Sequence, residues 1–208
     1  SAGYAGNNTR VAYGDYVFDG TGTGFMNRIS QDIEWVDGDQ VSVYSPTSPS
    51  LQQVDYDVAN IRTDDKSKAY LAAINGQDGL QWDRSTANST QDFYAVYPSK
   101  ASIVNSAVRN LVSFENGVLT GYVPINQQHT ITHSGEHGWT ATPNMDYLYM
   151  AAIEKGFNVP AADDPNAGIS LDFVPLTTTL EITFVGPTTI PIAAMNVKAN
   201  GVPVAGQF

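Results

Sequence analysis

The sequence predicts an all-β protein, a β-sandwich with at most one or two short helices. Three observations carry that prediction. Gly, Pro, Asn, Asp and Ser supply 75 of 208 residues, a turn-forming excess. The acids are 16 Asp against only 5 Glu, and Asp favours turns and caps where Glu favours helix interiors. Apolar residues alternate with polar ones in about ten short segments spaced by turn signals, the pattern of a sandwich or barrel. Hydrophobic residues reach 42%, enough to build a core and too many for a disordered chain.

In chain order, residues 10–16 read as a short edge strand, and Gly20, Gly22 and Gly24 as a loop. Residues 33–35 and 40–44 read as a hairpin, because Asp37-Gly38 between them suits a primed turn. Val41 and Val43 alternate with Gln40, Ser42 and Tyr44, which predicts one buried face. Pro46 and Pro49 end that strand. Val54, Tyr56 and Val58 alternate again. Residues 69–74 and 80–82 flank Asn75-Gly76 and read as a second hairpin. Phe93, Ala95 and Tyr97 mark a strand ending at Pro98. Residues 102–111 carry apolar side chains at helical spacing and are the one helix candidate. Asn116-Gly117 opens a turn before residues 118–123. Extended segments come next at 129–133, 146–153, 169–173 and 180–185. Gly186-Pro187 is the strongest linker signal, with further strand-like segments at 192–197 and 202–204. No fixed-period repeat is visible, which argues against propellers and solenoids.

The net charge of −11 argues against nucleic acid as a partner, since phosphate binding needs clustered Lys and Arg. Adsorption to anionic lipid is disfavoured for the same reason. There is no Cys, hence no disulfide, thiolate metal site or cysteine nucleophile. No apolar run approaches the roughly 20 residues of a membrane helix. The opening Ser1-Ala2-Gly3-Tyr4 is neither a signal peptide nor an initiator Met, and reads as a processed start.

Motifs for chemistry are weak. His129, His133 and His137 could offer imidazoles to zinc, but their segment holds two glycines and lacks helical H-E-x-x-H spacing. It reads as a polar loop. The acid pairs Asp37/Asp39, Asp64/Asp65 and Asp163/Asp164 read as surface turns. Residues 163–168 lack the alternating acids and terminal Glu of a calcium loop. No serine elbow or dinucleotide-binding glycine pattern is present. Asn7-Asn8-Thr9 and Asn88-Ser89-Thr90 fit short glycosylation sequons. Trp35, Trp82 and Trp139, with eleven Tyr, could form a sugar-stacking platform or fill a core. The residues thus point to no catalytic constellation, cofactor or metal.

Four segments in order resemble the Bacteroidales fimbrillin family, the subunits of type V pili and related surface adhesins. They are Thr9-Arg10 with residues 33–44 (IEWVDGDQVSVY), Trp82 with residues 92–98 (DFYAVYP), residues 145–152 (MDYLYMAA) and residues 171–184 (LDFVPLTTTLEITF). One departure is Pro175, where many members carry His. The resemblance implies a transthyretin-like Greek-key sandwich over 1–186, with 187–208 as the opening strands of a second sandwich. It implies a precursor with a lipid anchor, exported to the outer surface, whose lipidated cysteine is removed. It also implies cutting after Arg10 by an Arg-specific protease, and filling of the exposed groove by a strand from the next subunit. The expected function is therefore non-enzymatic: a fimbrial subunit or fimbrillin-like adhesin at the cell surface. Its expected partners are other pilus subunits through donor-strand exchange, and a host glycan or protein. The alternative is a carbohydrate-binding sandwich module using Trp35, Trp82 and Trp139.

Overall fold

A computed structural model describes residues 11–18, 28–125, 130–134, 138–142, 145–165, 167–179, 198–201 and 203–208. Its strands are β1 (Ala12–Phe18), β2 (Arg28–Glu34), β3 (Gln40–Tyr44), β4 (Gln53–Ala59), β5 (Tyr70–Ala73) and β6 (Thr90–Tyr97). After one helical turn, α1 (Ser106–Arg109), come β7 (Ser113–Glu115), β8 (Val118–Thr120), β9 (Tyr122–Val123), β10 (Thr130–Ser134) and β11 (Gly138–Thr142). The last are β12 (Met150–Asn158), β13 (Val174–Pro175) and β14 (Gly206–Gln207). The protein is all-β, as its composition predicts.

Six strands form the main sheet in the order β13-β12-β6-β3-β4-β5, and every pair is antiparallel. The chain runs β3-β4-β5 as neighbours, then β6 returns to lie on the far side of β3. Side chains two apart share a face. Val41 and Val43, Tyr56 and Val58, Phe93, Ala95 and Tyr97, and Met150 and Ala152 therefore fill one face together. Val11, Ile33, Trp35, Leu80, Trp82, Ile169, Leu171 and Phe173 cover that inner face. They come largely from segments between the main-sheet strands.

The outer face carries a smaller core of Ile103, Val108, Val112 and Tyr149, joined by Leu119, Tyr122 and Val123. Asn105 caps α1 by accepting from the Ala107 and Val108 amides, an N-cap with clear chemistry. The β7–β8 hairpin lies across the sheet. A Cβ at Gly117 would stand 3.2 Å from the Tyr94 ring and 3.3 Å from Tyr44, so the turn approaches both rings closely. In β12, Gly156 adopts φ +66° at the irregularity between Glu154 and Phe157, and its amide donates to Asp92 at 2.8 Å.

Several sequence expectations need correction. Residues 33–35 and 40–44 do not form a hairpin: β2 pairs with β1, whereas β3 pairs with β4 and β6. Asp37-Gly38 is a turn, but the chain leaves it for a different layer. The helix expected over 102–111 shrinks to α1, because the preceding residues 100–102 close a tighter turn capped by Ser99. Residues 80–82 do not pair with β5; Leu80 donates its amide to the Tyr56 hydroxyl at 2.7 Å instead. Residues 169–173 pack their apolar side chains without strand pairing. The expected strands at 180–185 and 192–197 lie outside the described residues. Near residue 208, β14 pairs with β9.

Candidate functional site

The sequence-predicted site residues fall into separate places. Trp35 sits edge-on to Tyr97 at 5.5 Å and to Phe173 at 5.4 Å. Trp82 stacks on Phe157 at 5.6 Å and meets Phe93 edge-on at 5.5 Å. Both rings are thus committed to the inner core, in geometries each worth about 0.5–1.5 kcal/mol beyond area burial. Their use as a sugar platform is not supported by this packing. Trp139 lies on β11 opposite His133 on β10. Arg10, His129 and His137 lie outside the described residues. Among the described residues, no group of three His, Asp or Glu is placed to hold a metal ion.

The acid pairs divide. Asp64 and Asp65 are in an exposed turn, bonded to Arg62 at 2.6 Å and Lys68 at 2.7 Å. The Lys68 ammonium, with the Ser67 hydroxyl, pulls the Asp65 carboxyl down to about 2. The Arg62 guanidinium likewise lowers Asp64. Asp163 and Asp164 are exposed, as expected. Asp39 corrects the surface-turn reading: it is 1% exposed, while Asp37 two residues earlier is exposed.

Asp39 belongs to a buried polar chain. Its Oδ2 accepts the Val36 amide at 2.8 Å. Its Oδ1 accepts the Tyr97 hydroxyl at 2.9 Å, and the Tyr97 oxygen accepts the Val11 amide at 3.0 Å. The Asp39 carbonyl accepts from Val58. Through its carboxylate and its carbonyl together, Asp39 therefore ties the N-terminal segment and β6 to β4 at the entry of β3. Desolvating such groups is costly unless each is bonded, so this chain fixes one geometry. A second tie is Gln91, buried on β6. Its amide donates to the Ser45 hydroxyl at 2.8 Å and the Gln81 carbonyl at 3.1 Å, and its oxygen accepts the Asp83 amide at 2.9 Å. Gln91 thus holds the strand-free segment that carries Trp82.

Two sheet margins complete the candidate site. On β12, nine residues long, β13 pairs only with Met150 and Ala151. Beyond that pairing, Ile153 is 63% exposed, beside Val174 at 62% and Leu176 at 50%. The other margin is β9, where β14 adds by two pairs and Gly121 and Phe208 exchange amide bonds of 3.0 and 3.1 Å. The Phe208 ring lies edge-on to Tyr149 at 5.4 Å. It occupies the space a Cβ at Gly121 would need. No helix among the described residues is long and apolar enough to cross a membrane.

Comparison with protein-family models, with curated proteins and with solved structures finds no match. Function therefore rests on the residues themselves. Sequence reasoning missed Asp39, Gln91 and the Gly121–Phe208 seam. Only Asp39 carries a signal in the sequence: it directly precedes a strand whose inner face is apolar.

Proposed function

We propose that this chain is a non-enzymatic cell-surface protein, a fimbrial subunit or fimbrillin-like adhesin that assembles by exchange of β-strands between copies. Other subunits are its partners, a host glycan or protein is its adhesion target, and a lipid anchor on its precursor brings it to the outer surface. The observation that carries the reading is the margin of β12. Among the described residues, β13 pairs with only two residues of this nine-residue strand, and Ile153, Val174 and Leu176 stand exposed beside it. An extended segment laid along such a margin gains main-chain hydrogen bonds and covers apolar surface at once. The order β6-β3-β4-β5 supports the Greek-key part of the reading, since the fourth strand lies beside the first. The ordered motifs around Trp35, Trp82, Tyr147 and Phe173 support the family assignment. In this reading a protease cuts after Arg10 before assembly.

Light scattering coupled to size-exclusion chromatography tests it, on the chain before and after digestion by an Arg-specific protease. Digestion is expected to yield a ladder of oligomers, and Ile153→Lys to suppress it. A single monomer peak in both states overturns strand exchange.

A further inference from the structure

We infer that Tyr97 and Asp39 form a built-in receptor for a new N-terminus at Val11, created when the Arg10–Val11 bond is cut. The inference rests on the processing step proposed above and adds what the cut does to the folded body. In the hydrolysis, water adds across the peptide bond. The carbonyl carbon leaves as the Arg10 carboxylate, and the Val11 nitrogen leaves as an amine that takes up a proton. An α-amine titrates near 7.7–8.0 in its ordinary state, so it is mostly an ammonium at neutral pH.

That nitrogen already sits at its receptor. It donates to the Tyr97 hydroxyl at 3.0 Å, and Tyr97 donates to the Asp39 carboxylate at 2.9 Å. The carboxylate can be no further from the nitrogen than those two legs laid end to end. Val11, Tyr97 and Asp39 are each 1% exposed. Cutting replaces a neutral amide with one N–H by a cation with three, one hydroxyl away from a buried anion. Charge-assisted bonds are about twice as strong as neutral ones, and burial limits screening. Tyr97 ends β6 and Asp39 directly precedes β3, so the new charge fastens the two central strands to the trimmed end. Because Val11 is buried in the closed state, the protease acts on the opened segment and the new end then re-enters. Trimming thus releases the residues before Val11 and locks the strand that begins there.

The test uses the full chain with Asn7→Ile, Asn8→Glu and Thr9→Gly, which makes a factor Xa site ending at Arg10. A control carries one Ala inserted between Arg10 and Val11, so that the cut end overshoots the receptor. Both are cut, exchanged into neutral buffer and treated with an acetylating amine reagent, and labelling is followed by mass spectrometry. The Val11 amine is expected to react roughly tenfold more slowly than the amine of the inserted Ala, because a bonded, buried ammonium must first be released. Asp39→Asn is expected to abolish that protection. The cut chain is also expected to melt a few degrees above the cut control (about 2–4 °C per kcal/mol at this size). The comparison with the inserted Ala needs no core substitution, so it stands even where Asp39→Asn fails to fold. Equal labelling and equal melting in the two cut chains overturn the receptor, as does a site that resists cutting under all folding conditions. Absence of oligomers, by contrast, counts only against the assembly reading.

Discussion

On the inner face of the main sheet, Phe93, Tyr97, Val41 and Met150 meet Trp35 and Trp82 delivered from outside the sheet. On the outer face, Tyr149 gathers Ile103, Val108 and Val112 beneath two short strand pairs. The inner core is large, with buried polar ties at Asp39 and Gln91 that fix where its covering segments lie. Among the described residues the outer core is smaller, and part of its cover is Phe208, which is half exposed. The difference teaches that, among the described residues, one face of the sheet is tied by buried polar groups and the other is covered by short strand pairs and a half-exposed ring. Local opening tracks buried apolar contact, so the outer face is the one expected to open first.

Phe93→Ala should break the inner face with the largest effect. Phe93 is buried and touches both Trp82 and Phe157. A loss of about 3–5 kcal/mol is expected in urea denaturation, with all probes moving together. A loss below about 1 kcal/mol would mean that this face is no more tightly built than the other.

Tyr149→Phe sharpens the contrast on the outer face. The Tyr149 hydroxyl donates to the Tyr122 carbonyl at 2.9 Å, and the change strands that acceptor. The expected cost is about 1–2 kcal/mol. Hydrogen exchange should accelerate at β9 and residues 206–208 while β3 and β6 stay protected. Uniform acceleration across both faces would erase the distinction.

The smallest effect belongs to the turn at residues 62–68, which serves neither core. Asp65 is held at about 2, below the ordinary value near 3.9. A carboxyl lowered in the folded state contributes stability above its unfolded value and loses it as pH falls through the folded one. The turn should therefore loosen between about pH 4 and pH 2. Side-chain NMR titration of Asp65 checks this, and Lys68→Met should raise its midpoint.

Legibility in the sequence depends on the range of the interactions. Strands β3, β4 and β6 are readable because alternation reports a half-buried sheet directly. Their partners are not. The Asp37-Gly38 turn is a real local signal, yet β3 takes β4 and β6 because long-range burial of Val41 and Val43 decides the pairing. Of the apolar residues at helical spacing over 103–111, only Ile103 and Val108 reach the outer core, while Val104, Ala107 and Leu111 are exposed, so capping at Ser99 and Asn105 outweighs periodicity. The site is harder still. Asp39 and Asp37 are alike in sequence, and what buries Asp39 includes the Tyr97 hydroxyl, 58 positions away. Trp35 and Trp82 stand out as aromatic, but whether a ring faces solvent or another ring depends on Phe173 and Phe157 far along the chain.

At the seam, the Phe208 ring fills the volume that any side chain at position 121 would claim. A side chain at 121 would therefore push the half-exposed Phe208 ring aside. Gly121 is the clearance in which the Phe208 ring rests.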